Sequence, residues 1–387
     1  MAKAQALYTI DTKLYVFGSA FGIILLWILL RLRVAPAFRN LAERAAKNGF
    51  LQALIFVPLL TLLIAVISLP IDIYRHHISL AYGLSVQGWP SWMGDWCKGQ
   101  GVSLVIMVPT VWGLFLIVRK SPERWWFYFW LVSLPFLVLL VFVAPVILDP
   151  IFNTFEPLEK TQPQLVSEIE KVTQRGGLNI PRDRMFEMKA SEKYTTYNAY
   201  VTGLGATKRV VVWDNTSRDM TVPETLFVFG HEMGHYVLNH IYKGLTFLAV
   251  MLLVGFWLGR KMVLAMLTRW GASWHIRGVH DLAALPALML ALSLLSLAGE
   301  PIGNAFSRNI EHQADIYGLE VTHGLFPDNG EVAASAFQKL GEKSFDYPNP
   351  NPVFIFWSYT HPPIADRVRF SLQYDPWRTP SGPKYVK

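Results

Sequence analysis

A polytopic α-helical membrane protein with a small α+β domain is the fold class this sequence predicts, on three observations. Six apolar runs are each close to the roughly 20 residues a bilayer requires. Hydrophobic residues make up 52% of the chain and charged residues only 16%, which argues against a purely soluble protein. Between the fourth and fifth runs lies a polar stretch, about 149–221, with the turn signals and short strand-like runs of a mixed domain.

The apolar runs cover residues 14–30, 50–71, 102–118, 125–148, 245–267 and 282–298. The first follows Lys3 and Lys13 and leads into Arg31-Leu32-Arg33 rather than a small-residue cleavage site, so it reads as a retained span. Pro135 and Pro145 interrupt the fourth run and Pro286 the sixth, which membrane helices tolerate when neighbours satisfy the freed carbonyls. In the polar stretch, 164–175 reads as an amphipathic helix with Leu165, Ile169 and Val172 on one face, ended by Gly176-Gly177. Strand-like runs follow at 184–188, 199–202 and 209–213, the last two joined as a hairpin through Gly203-Leu204-Gly205-Ala206. Pro223 and Glu224 open a helix that carries residues 231–235 and runs on into the fifth span. Beyond the sixth span a helix continues through 310–319. A Pro/Asn-rich loop at 347–352 then precedes a short aromatic segment and a last helix near 364–370. The chain divides into four spans (1–148), the first part of the polar domain (149–243), two more spans (244–303) and the rest of the domain (304–387).

A net charge of +7 raises the question of nucleic acid, but the basic residues sit in short loops between apolar runs. Such loops set orientation in a bilayer, so the partner this charge implies is membrane lipid and not nucleic acid. Arg31, Arg33, Arg39, Arg44, Lys47, Arg119, Lys120, Arg124, Arg260, Lys261, Arg269 and Arg277 lie on one side; Lys3, Lys13, Arg75 and Lys98 lie on the other. The positive-inside rule makes the first side cytoplasmic and puts the polar domain outside. Cys97 is the only cysteine, which rules out an intrachain disulfide and a cysteine-based zinc site.

The chemistry starts from His231-Glu232-Met233-Gly234-His235. Histidines at i and i+4 share a helical face and aim both imidazoles at one point, as tetrahedral Zn²⁺ requires. Glu232 beside the metal is placed to take a proton from water and pass it to a leaving amine. His240 is a turn and more beyond His235, off the metal-facing stripe. A catalytic zinc site needs a third protein ligand. Glu311 is the best candidate, sharing a face with Asp315, whereas His312 points about 100° away and is weaker. The fifth and sixth spans form an antiparallel pair, which returns Glu311 to the membrane face where residues 231–235 end. His361, followed by Pro362-Pro363 and then Arg367, offers a hydrogen-bond donor for a developing oxyanion.

These motifs together resemble the type 1 CAAX prenyl endopeptidases, the sterile-24-type integral membrane zinc metalloproteases. The resemblance rests on residues 231–235, on Glu311 with Asp315, and on His361-Pro362 with Arg367. It extends to Asn198-Ala199-Tyr200 and Lys208-Arg209-Val210-Val211, and upstream to residues 69–74 and 147–153. It implies a helical barrel around a water-filled chamber, capped by the zinc domain. It further implies one Zn²⁺ per chain on His231, His235 and Glu311, with Glu232 as general base. Asp315 would be a proton donor or the residue orienting a liganding histidine, with His361 and Arg367 completing the site. The edge containing Asn198, Ala199, Tyr200, Val201 and Gly203 would pair with an extended peptide or protein substrate. The family typically has seven spans and a zinc domain facing the cytosol. Here six are counted, the family's second helix being absent, and the charge count puts the domain outside. Exported or membrane-associated peptides then fit better than cytosolic prenylated proteins. A membrane quality-control metalloprotease would share the motif with fewer spans. A metal-binding receptor or transporter would carry charges inside its spans, where these runs have almost none.

Overall fold

The structure, a computed structural model, describes residues 1–142, 144–203 and 208–386. Six helices in it are long and apolar enough to cross a membrane. They are α1 (Ala2–Arg31), α3 (Gly49–Ala81), α4 (Trp89–Lys120), α5 (Trp125–Phe142), α11 (His240–Trp270) and α12 (Leu285–Thr322). Each outruns its hydrophobic stretch except α5, because polar turns extend the helices past the bilayer toward the capping domain. α3 passes through Pro58 and Pro70, α4 through Pro109 and α5 through Pro135. Pro286 does not interrupt the sixth span; it stands in the first turn of α12, where its missing N–H breaks no helical bond. Beyond residue 143, which lies outside those described, α6 covers Ala144–Phe152.

The spans pack in the order α1, α12, α11, α5, α4, α3, with α2 bridging α3 and α1. Residues 31–50, expected to be a loop, instead contain α2 (Val34–Ala45), which lies against α3 and buries Ala35, Arg39 and Ala42. The basic loops gather at this end: Arg39 pairs with buried Asp281, Arg277 grips Glu43 at 2.7 Å, and Arg119 reaches the His280 carbonyl. A compact apolar plug of Leu25, Leu29, Phe56, Val57, Leu60, Val111, Phe115, Leu285 and Leu288 closes the ring here. Toward the other end the plug stops. No described residue is buried in 8–24 of α1, 61–75 of α3, 89–107 of α4, 126–142 of α5, 241–255 of α11 or 292–300 of α12. Helices packed on a solid core bury a stripe; these bury none, so no solid core fills this end of the helices.

The domain at that open end is built on a sheet in the order β1 (Phe155–Pro157), β2 (Met185–Met188), β4 (Arg209–Trp213), β3 (Ala199–Thr202). β2 and β4 are parallel; the outer pairs are antiparallel, which leaves one side of β3 free. The residues expected to link β3 and β4, 204–206, lie outside those described. Short α7 (Leu158–Thr161) and α9 (Asp214–Asp219) flank the sheet. α8 (Pro163–Arg175) buries Leu165, Val166, Ile169 and Val172, each worth roughly 1.5–3 kcal/mol on removal from water. Its partner is α10 (Val222–Val237), opened by a capping box in which Thr221 and Glu224 satisfy each other's backbone N–H groups. α10 does not run into the fifth span. It stops at Leu238, and Asn239 takes a left-handed conformation (φ 58°) that redirects the chain into α11. After α12 come α13 (Asn329–Ser344), α14 (Pro352–Ser358), which is the aromatic segment, and α15 (Ile364–Gln373).

Candidate metal centre

α10 and α12 touch backbone to backbone. A methyl group on Gly230 would lie 2.9 Å from Val321 Cγ1, one on Gly234 3.0 Å from Tyr317 Cβ, and one on Gly318 3.0 Å from the His231 nitrogen. Glycines at i and i+4 on α10 therefore face α12 and allow the close approach. The same crossing brings His231 and His235, one turn apart, against Glu311 and Asp315, also one turn apart.

Three donor atoms converge. His231 Nε2 and His235 Nε2 are 3.1 Å apart, and Glu311 brings Oε2 to 3.3 Å from the first and Oε1 to 3.5 Å from the second. A tetrahedral zinc with bonds of about 2.0–2.1 Å sets its ligand atoms roughly 3.3 Å apart, so these spacings fit one. Glu311 Oε2 is buried with no hydrogen bond, an acceptor in want of a cation. Glu232 Oε1 stands 3.9 Å from His231 Nε2. His312 is absent from this group; its ring packs edge-on against Phe370.

Electrostatics prepare the donors. Burial acts to lower His231, but Asp315 and Glu311 outweigh it and raise the ring to about 9. A pair of carboxylates that holds a proton this firmly is also a place for a metal cation. Burial and neighbouring His231 depress His235 to about 3, leaving it the neutral imidazole that ligation needs. Burial raises the Glu232 carboxyl to about 7, with His231 and Arg367 pulling it down and Glu311 and Asp315 pushing it up.

Behind the donors, Asp315 Oδ1 lies 2.8 Å from His231 Nδ1. Arg367 donates two hydrogen bonds to the same carboxylate, Nε at 3.0 Å and a terminal nitrogen at 2.5 Å. Asp315 is 1% exposed, so it touches His231 rather than solvent. His240 packs against the rear of His235, with the two Nδ1 atoms 3.2 Å apart. Reading α10 and α11 as one helix hid this contact, since only the left-handed turn at Asn239 swings His240 back. His361 is exposed and brings Nε2 to 3.3 Å from Glu311. Asn198 lines the cavity that holds His231 and Glu232. Ala199 is buried and Val201 half-buried on the sheet's outermost strand, Tyr200 turns away to donate to Asp149 at 2.9 Å, and Gly203 leaves the strand at φ 92°.

The family model described as Peptidase family M48 matches residues 159–374, more than half of the chain. The chain belongs to peptidase family M48. A second model, described as CAAX prenyl protease N-terminal, five membrane helices, matches residues 1–154 of this M48 peptidase. Four long apolar helices fall in that part of the chain, one fewer than the description states. An uncharacterized metalloprotease, YhfN of Bacillus subtilis, is 36% identical over 369 residues, 95% of this chain and 84% of its own. A CAAX prenyl protease 1 homolog of Caenorhabditis elegans is 25% identical over 394 residues, covering 93% of this chain and 85% of its own. The crystal structure of S. mikatae Ste24p superposes with a TM-score of 0.79 at 23% identity, over 96% of this chain and 87% of that one. The M48 peptidase is thus a CAAX prenyl protease-like metallopeptidase and an integral, multi-pass membrane protein.

Proposed function

We propose that this protein is a zinc endopeptidase that hydrolyses peptide bonds of polypeptides entering the space inside its helical ring. The observation that carries the reading is the donor triangle of His231, His235 and Glu311 with Glu232 at its edge. Zinc, when bound, supplies Lewis acidity that polarises a carbonyl and acidifies water. Asp315 accepts the Nδ1 proton of His231 and so keeps Nε2 free as a ligand, while Arg367 fixes Asp315. Both are positioning residues. Glu232 removes a proton from the attacking water as its oxygen bonds to the scissile carbon, then delivers that proton to the amine as the C–N bond breaks. His361, exposed beside Glu311, donates to the carbonyl oxygen as charge develops there.

The free edge of β3 holds the substrate by its backbone, with Asn198, Ala199, Tyr200, Val201 and Gly203 along the binding line. The belt without buried residues supplies a route for an extended chain to reach that edge. Because the basic loops all gather at the plugged end, the metal centre opens outside the cytoplasm, and its substrates are exported or membrane-associated polypeptides. Peptide cleavage by purified Glu232→Gln protein tests the mechanism. Unchanged metal content with cleavage reduced at least a thousandfold, on the order expected for a lost general base in a water-activating site, is the expected result. Cleavage at the wild-type rate by metal-loaded variant would remove Glu232 from the reaction.

A further inference from the structure

The cavity that holds His231 and Glu232 has a volume of about 600 Å³ and continues well past the donor triangle. One wall is apolar, made by Phe227 and Val228 of α10, Leu340 of α13 and Ile364 of α15. At its rim stands Asp346, exposed to solvent and the only carboxylate among the described lining residues besides Glu232. Among the described residues Asp346 has no hydrogen-bond or ion-pair partner for its side chain. The surrounding protein raises its carboxyl, and only the more distant charge of Arg367 acts the other way. Arg367 itself is committed to Asp315.

Asp346 is held there by its neighbours. Phe345 adopts φ 54°, a left-handed conformation that L residues seldom take, and the Asp346 N–H then donates to the Gly341 carbonyl at 2.8 Å. The Phe345 ring lies under the Lys3 ammonium at 4.6 Å, and Tyr347 stacks on Tyr8 at 5.3 Å. Both anchors belong to α1, so the loop is pinned to the membrane ring from either side of Asp346. An exposed, unpaired carboxylate beside that one apolar wall suits a long aliphatic stem ending in a cation. A wholly apolar occupant would strip water from Asp346 and return nothing to it. Direction follows from β3. A chain adding antiparallel to its free edge runs toward Asn198, which lines this same cavity, so the residues entering it are those after the cleaved bond.

We propose that the cavity is a subsite for a lysine or arginine of the substrate, on the C-terminal side of the bond cleaved, with Asp346 as its selecting residue. The proposal rests on the peptidase reading above. The test uses the full-length, metal-loaded protein and matched peptides carrying lysine, norleucine or glutamate at each successive position after the bond. At one position kcat/KM should favour lysine over norleucine on the order of tenfold, with glutamate slowest. Asp346→Asn should bring the lysine-to-norleucine ratio close to one, Asp346→Lys should turn the preference toward glutamate, and Asp346→Glu should keep it. Equal cleavage of lysine and norleucine peptides at every position overturns the proposal, as does a ratio that Asp346→Asn leaves intact. If the metal-loaded wild type cleaves none of the peptides, the peptidase reading falls and takes the proposal with it; cleavage without charge preference removes the proposal alone.

Discussion

His231 and His235 each use one ring nitrogen toward Glu311 and the other toward a neighbour, and the neighbours differ in kind. Asp315 is a charged acceptor already held by Arg367, whereas His240 offers a second imidazole. Groups behind a liganding histidine fix its tautomer and ring angle, and their loss typically weakens metal binding 10–100-fold. His240→Ala is therefore expected to lower zinc affinity by about that factor in competition with a chelating dye, and His240→Gln to recover part of it. Asp315→Asn should act more strongly than His240→Ala, because it also leaves buried Arg367 without its counter-charge. Equal affinities for wild type and His240→Ala would make the His240 contact mere packing.

At the scale of elements, the centre depends on how closely α10 and α12 approach. Gly318→Ala drives a methyl into the His231 backbone, a contact no side-chain rotation relieves. A loss of about 1–3 kcal/mol of stability is expected, with weaker metal binding as the donors part, measurable by thermal denaturation with and without zinc. Glu224 secures the start of α10. Burial acts to raise its carboxyl, but Lys339, Ser335 and Thr221 prevail and hold it below the usual carboxylate range. A depressed folded value means that its contribution is complete above the unfolded carboxylate range and is lost as pH falls through the folded one. Glu224→Ala should accordingly cost about 1–3 kcal/mol at neutral pH, and the gap between variant and wild type should narrow under acid.

For the whole molecule, the separation of a plugged basic end from an open end with the metal centre determines which compartment sees the chemistry. Twelve Lys and Arg residues lie in and beside the short connections at the plugged end, against four in the N-terminal segment and the short connection at the other, the long domain segments being left out of the comparison. A reporter enzyme active only outside the cytoplasm, fused after residue 387, should be active, and one active only inside should be silent. The opposite pattern would put the metal centre in the cytoplasm and return cytosolic tails to the range of substrates.

The spans were legible because a bilayer demands long apolar helices with every backbone group satisfied internally, a local requirement written in consecutive residues. The histidine pair was legible for the same reason, since i and i+4 on a helix are neighbours whatever surrounds them. Glu311 and Asp315 could be named from their own spacing, yet their meeting with His231 and His235 depends on Gly230, Gly234 and Gly318, whose role appears only when the two helices are set together. α2 is amphipathic, but at 12 residues and polar on average it stands between two spans as a basic interval rather than as an apolar run.

Lipid solvation and helical periodicity act over neighbouring residues, so six long membrane helices and a metal-binding helix face can be read from the order of residues alone. The break of α10 at Asn239, the return of His240 onto His235, the belt without buried residues beside the metal centre and the unpaired, exposed Asp346 emerge once the chain is folded. The break at Asn239 is one left-handed residue that no helical period announces, and the belt joins helices tens to hundreds of residues apart, a distance across which no periodicity carries information.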